Sequence, residues 1–249
     1  MADEVYRGVV TTIQTRRTSA KRSTVALKYS MAVSGLVMLG YLLVHMYGNL
    51  KFFQGQEYFD EYLAGLEELF TPYLPEGGLL WIMRVALITA LVVHVYAAMT
   101  LWRRNKAAAG YVGATRYHSK KGRTGIQRSY ASFTMRWGGI ILLLFIIGHV
   151  AQMLPNWLAP GGASDSTYER VVNGFELWWV VLLYTIGLVA VGFHLWHGFW
   201  SALTTLGQNR SATRNESTIT WVSTFIAALI CFGFLIVPFA VFFFGVGTS

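Results

Sequence analysis

Residues 177–203 read LWWVVLLYTIGLVAVGFHLWHGFWSAL, an unbroken apolar run with no acidic residue, lysine or arginine, but with two histidines, His194 and His197. About 20 apolar residues carry a helix across the ~30 Å hydrocarbon core of a bilayer, so this run is predicted to span it. Working outward, four more runs qualify, at 27–48, 79–102, 134–154 and 219–246. Arg84 is the one charge in the second. Trp81, Trp102, Trp137, Trp178, Trp179, Trp200 and Trp221 fall near span ends, where an interfacial aromatic belt is expected. The predicted fold is an all-α membrane protein of five transmembrane helices. A basic tail (1–26) precedes a single transmembrane domain (27–246).

Composition agrees. Of 249 residues, 54% are hydrophobic and only 13% charged, against about one quarter charged in soluble domains. The single cysteine, Cys231, excludes an internal disulfide and any metal site needing two thiolates from this chain. Residues 1–26 are polar and basic, so no cleavable signal peptide is expected.

The net charge of +8 does not point to nucleic acid, because the basic residues are segregated by topology. Of the 20 Lys and Arg, all but Lys51, Arg84 and Arg170 fall on one side of the spans: the N-terminal tail, the 103–136 loop, and Arg210 with Arg214. The positive-inside rule puts that side, with the N-terminus, in the cytoplasm and the C-terminus outside. The basic 103–136 loop suits anionic lipid and equally the docking of a soluble partner. The opposite loop is acidic. Its segment from Glu57 to Phe70 has apolar residues at helical spacing and is predicted as a short helix on the outer surface.

Five of the six histidines lie in or at the ends of spans: His45, His94, His149, His194 and His197. Ionisable groups in lipid are costly and usually face the bundle interior in a functional role. A rise of ~1.5 Å per residue sets their depth. His45 and His149 come late in outward-running helices and so sit at an outer level. His94 and His194 come late in inward-running helices, at an inner level. Four consecutive helices thereby supply two histidine pairs, the arrangement needed to ligate two redox centres stacked in a four-helix bundle. His197 is one turn beyond His194, and His118 lies in the basic loop. The fifth span has no histidine; Pro238 is expected to kink it, and it reads as a flanking helix.

The segments Met31-Ala-Val-Ser-Gly35, His45-Met-Tyr-Gly-Asn49, Ile147-Gly-His-Val150 and His194-Leu-Trp-His-Gly-Phe-Trp-Ser201 resemble the single-chain, five-helix, cytochrome b type membrane anchor of bacterial succinate dehydrogenase and fumarate reductase. The resemblance implies axial ligation of b haems, one or two in number: His45 with His149 for the outer (distal) one, His94 with His194 for the inner (proximal) one. It also implies a flavoprotein subunit and an iron–sulfur subunit docked on the cytoplasmic side, quinone as electron acceptor, and location in the bacterial inner membrane. Higher oligomers of the complex stay open. The sequence agrees in lacking the G-x-G-x-x-G fingerprint and the cysteines of a cluster-binding chain. One departure is His197, a second inner-level imidazole. It keeps open a Rieske-type 2Fe–2S cluster, with two histidines from this chain and two cysteines from a partner.

Quinone needs hydrogen-bond partners and an apolar slot. Candidates on the inner side are Ser30, Ser34, Tyr130, Ser132, Arg136, Trp200 and Ser201; on the outer side they are Lys51, Arg84, Gln152 and Trp157. The inner set is favoured because electrons arrive there first. Arg84, inside a span, is expected to find Glu76 or a lipid phosphate as partner. Two other classes compete: the cytochrome b anchor of a hydrogenase or formate dehydrogenase, and a transporter. The transporter is disfavoured, since no span carries Asp or Glu deep inside.

Overall fold

A computed structural model describes residues 23–109, 125–154, 157–207 and 215–248, with the side chains of 108–109, 125–133 and 215–217 excepted. Residues 110–124 of the 103–136 loop, including His118, thus lie outside the described residues, and its two flanks are helical. The chain is helical, with no strand among the described residues. Its elements are α1 (Thr24–Leu50), a short 3-10 turn (Lys51–Gln54), α2 (Gln56–Glu68), α3 (Gly78–Ala109), α4 (Gly125–Met153), α5 (Thr167–Phe175), α6 (Trp178–Thr205) and α7 (Asn215–Phe244). Five of them, α1, α3, α4, α6 and α7, are long and apolar enough to cross a membrane. The predicted 57–70 helix is α2.

The long helices alternate in direction. The ends of α1 and α4 meet the starts of α3 and α6 at one end of the bundle, which α2 and α5 cover; we call it the capped end. Backbones pack closely between α1 and α3, between α4 and α6, and between α6 and α7, with α1 also against α6 and α7. Close backbone packing of α3 on α4 is absent among the described residues. Small residues allow the tight contacts. A Cβ on Gly187 of α6 would sit 2.5 Å from the Phe145 ring of α4, and one on Gly192 would sit 2.5 Å from Cys231 Sγ of α7. Helices in lipid associate largely through such close packing.

α7 is no bystander. Ile230, Val237, Pro238 and Val241 are all but fully buried, and the helix runs continuously past Pro238. Hydrocarbon leaves the carbonyl freed by proline without water, so the neighbouring helices must hold the segment in shape.

The cap has its own apolar core. Phe52 stacks on Tyr168 with ring centroids 4.5 Å apart, and both join Phe59, Val171, Val172, Phe175 and the ends of α6 and α7. The helix α5 was not expected from the sequence, although its signals are there. Ser166 caps it by accepting from Glu169 N at 3.4 Å, and the Ser-x-x-Glu spacing is that of a capping box. Tyr168, Val171, Val172 and Phe175 form its apolar stripe. Its polar face is tied to α2: Ser166 Oγ donates to Asp60, and Gln56 donates to Glu169 at 3.4 Å. After α7 the chain tucks under this cap at Gly247, whose φ of +85° suits glycine and whose Cβ would lie 2.7 Å from Tyr168 Oη.

Two expectations follow. Gly187→Ala pushes Phe145 away and lowers stability by about 1–3 kcal/mol, whereas Gly65→Ala in α2, where a Cβ meets nothing within 4 Å, leaves it unchanged or raises it slightly; unfolding in detergent micelles distinguishes them. The Glu169 carboxyl is held below its ordinary range by the Ser164 hydroxyl, which donates to it, and then by Gln56. Its contribution is therefore present above the unfolded value and lost as pH falls below about 4. Glu169→Gln should flatten that acid limb of the unfolding midpoint against pH.

Candidate functional site

The four span histidines meet in two pairs, each joining different helices. His45 of α1 faces His149 of α4 with ring centroids 5.9 Å apart. His94 of α3 faces His194 of α6 at 6.1 Å. Two imidazoles sharing one metal ion, each bonded at ~2.0 Å, place their centroids about 6 Å apart. Both pairs meet that spacing.

Three helices give the distance between the two levels. On α1 it runs from Ser34, which touches His94, to His45. On α4 it runs from Gly139, beside the His194 ring, to His149. On α6 it runs from His194 back to Tyr184, which touches His149. At ~1.5 Å per residue each interval is roughly 15 Å. The His45–His149 pair lies toward the capped end.

Imidazoles in an apolar bundle need their second nitrogen satisfied, and that partner fixes the tautomer. His94 Nδ1 lies 3.0 Å from the Met31 carbonyl and 3.3 Å from Ser34 Oγ. A carbonyl only accepts, so His94 carries its proton on Nδ1 and leaves the Nε2 lone pair available. Ser34 itself donates to the Ser30 carbonyl at 2.7 Å. His149 Nδ1 lies 3.0 Å from Tyr184 Oη, and Tyr184 donates to Gln152 Oε1 at 3.0 Å. The phenol has one hydrogen and spends it on Gln152, so its oxygen accepts from His149 Nδ1–H.

The buried Nδ1 of His194 has no hydrogen-bond partner among the described residues. Such an orphan costs of order 1–3 kcal/mol unless something outside the chain meets it. Imidazole nitrogen is a good donor to iron, so the residue set fits metal ligation. No cluster of three or more His, Cys, Asp or Glu occurs among the described residues; each pair brings together two imidazoles from different helices.

Aromatic rings set the histidine planes. His45 stacks on Tyr41 at 5.2 Å and meets Phe234 of α7 at 5.5 Å; Phe145 stacks on His149 at 6.0 Å. Glycines let the inner rings approach. A Cβ on Gly35 of α1 would lie 3.3 Å from His94 Cε1, and one on Gly139 of α4 3.7 Å from His194 Cε1. His197, one turn beyond His194 on α6, lies tilted against Trp196 with ring centroids 4.6 Å apart.

The polar candidates are more scattered. At the open end Ser34 is buried against His94, Ser30 is exposed and bonded back to the Ala26 carbonyl, Trp200 and Ser201 are half-buried, and Arg136 is exposed. The side chains of Tyr130 and Ser132 lie outside the described residues. At the capped end Gln152 is buried beside the His149 pair, while Trp157 is exposed. Lys51 sits over the Tyr47 ring at 5.1 Å. Arg84 lies over the Trp81 ring at 5.1 Å, one helical turn earlier on α3. Sequence reasoning passed over Tyr184, Phe145 and Tyr41. Tyr184 and Tyr41 carried a signal: a polar tip inside an apolar run needs a partner when buried.

No curated protein and no solved structure matches the chain. A family model does. The succinate dehydrogenase/fumarate reductase transmembrane subunit model matches residues 114–235, just under half of the chain. The matched stretch holds His149, His194 and His197, one member of each pair and the extra imidazole, and runs through α4, α5 and α6 into α7. With five apolar helices around these residues, the match supports a complex II membrane-anchor subunit, the transmembrane part of a succinate dehydrogenase or fumarate reductase.

Proposed function

We propose that this chain is the anchor of a succinate:quinone oxidoreductase and carries electrons from a partner iron–sulfur subunit to membrane quinone through two b haems. His94 and His194 hold the proximal haem and His45 and His149 the distal one. The single observation that carries the reading is the pair of cross-helix histidine couples, each with ring centroids about 6 Å apart. Bound there, each haem supplies a one-electron carrier.

The chain's own residues do the rest. The Met31 carbonyl and the Tyr184 hydroxyl hold the Nδ1 protons of His94 and His149, so that Nε2 of each keeps its lone pair for a ligand. Gly35 and Gly139 let the inner pair approach between helices. Phe145, Tyr41 and Phe234 keep water from the outer pair, which holds the local dielectric low and so bears on potential. The basic segments face the cytoplasm by the positive-inside rule and receive the flavoprotein and iron–sulfur subunits, giving a multi-pass protein of the bacterial inner membrane. Quinone binds at the open end, near Ser30, Trp200 and Ser201, next to the first haem to receive electrons.

The test is a reduced-minus-oxidised optical spectrum of the purified complex, with a pyridine-haemochrome assay and low-temperature EPR. Two b haems per complex are expected. His45→Ala and His149→Ala should remove the same haem signal, and His94→Ala and His194→Ala the other. Single-histidine variants that each remove a different signal would break the pairing. A Rieske-like EPR signal in place of haem, lost in His94→Ala or His194→Ala, would replace haem by an iron–sulfur centre. Neither signal would leave the chain as an anchor without a carrier of its own.

A further inference from the structure

The two histidine pairs are supported differently. On the inner pair, His94 Nδ1 is held by a backbone carbonyl of α1, Met31 O, at 3.0 Å. On the outer pair, His149 Nδ1 is held by a side-chain relay, Tyr184 Oη at 3.0 Å and then Gln152 Oε1 at 3.0 Å. Gln152 is 7% exposed, and its Nε2 is buried without a partner among the described residues. A Cβ on Gly174, in α5 of the cap, would lie 2.5 Å from that Nε2. The amide is thus wedged between the bundle and the cap, with its oxygen turned to the tyrosine.

The direction of this relay matters. With Gln152 Oε1 as acceptor, the Tyr184 hydrogen is committed, its oxygen accepts from His149 Nδ1–H, and His149 Nε2 is a free lone pair. If the amide were turned over, Gln152 would donate to Tyr184, Tyr184 would donate to Nδ1, and the proton would move to Nε2, where it blocks ligation. The amide orientation of Gln152, one residue beyond Tyr184 in the relay, therefore favours one tautomer of His149 over the other.

We infer that Tyr184 and Gln152 are positioning residues of the outer centre: they lock His149 in the ligating tautomer and raise its donor strength through two side chains in series, where the inner centre relies on the Met31 carbonyl at 3.0 Å with Ser34 Oγ beside it at 3.3 Å. The inference rests on the ligation proposed above. An acceptor on Nδ1–H makes the imidazole a stronger donor, which favours the oxidised metal, so the relay keeps the outer midpoint potential lower than it would otherwise be. The relay also passes α4 and α6 to α5, so the set of the cap on the bundle is felt at His149.

The experiment compares the whole complex with Tyr184→Phe, Gln152→Met and the double variant, reading haem retention under detergent washing and the midpoint potential of each haem by redox titration. Tyr184→Phe should weaken retention of the distal haem roughly ten- to a hundred-fold and raise its potential, with the proximal haem unchanged. Gln152→Met, which conserves volume, should do the same to a smaller degree. Because the two act in one chain, the double variant should be no worse than Tyr184→Phe alone. Wild-type retention and potential in both single variants would overturn the inference. So would additive losses, or losses shared equally by both haems in the volume-conserving Gln152→Met. If the wild-type complex carries no haem, the ligation proposal fails by itself, and nitrogen NMR of His149 still decides the relay. An Nδ1–H tautomer that is lost in Tyr184→Phe upholds it, and an Nε2–H tautomer in the wild type overturns it.

Discussion

The constraint on which the rest of this molecule depends is the cost of an imidazole inside hydrocarbon. A single histidine there needs a partner for each ring nitrogen, and lipid supplies none. The chain meets the demand by placing one histidine on each of four helices and letting helix packing bring them together two by two. The outward nitrogen of each supported ring goes to a group of this chain, Met31 O or Tyr184 Oη. That requirement explains why glycines lie beside the inner rings and why the outer rings are walled by Tyr41, Phe145 and Phe234.

The second organising element is the cap. Polar loops cannot lie in the hydrocarbon, and here two short amphipathic helices close one end of the bundle. Phe52, Phe59 and Tyr168 fill the space between α2, α5 and the ends of α6 and α7. The cap is continuous with the site, because α5 contributes Gly174 against Gln152 and Phe175 against Tyr184, at 4.8 Å between rings. Surface helices and intramembrane ligand support are thereby one packed unit.

Much of this was legible in the sequence, for a definite reason. A membrane span announces itself by length, and a helix has one rise per residue, so the positions of His45, His94, His149 and His194 along their runs were enough to sort them into two levels. What was not legible was lateral contact. Nothing in the run around Tyr184 says that its hydroxyl faces His149 and not lipid, because an apolar helix has no polar side from which its facing can be read. For the same reason α7 read as a flanking helix, although it sends Phe234 to His45. Arg84 lies over the indole of Trp81, a partner one helical turn away that the charge pattern alone did not name. The helix α5 was missed because nine amphipathic residues are too few to give a span signal, while the Ser166-x-x-Glu169 cap that marks it is a short-range feature easily passed over in a loop.

The uneven packing of α3 has a mechanical consequence. Among the described residues this helix is fixed along one side by α1, with α2 at its capped end and Arg104 reaching Thr24 at 3.1 Å near the other. Its other side has no comparable backbone neighbour. It is a beam clamped along one edge. A change in bilayer thickness or lateral pressure that tilts this beam acts first on the separation of His94 from His194, since His94 rides on α3. The outer pair meets the same condition from the opposite side of the bundle, because α4, which carries His149, is fixed along one side by α6 with α5 at its capped end. Each level therefore couples one helix of the inner core, α6 or α1, to one helix clamped along a single edge.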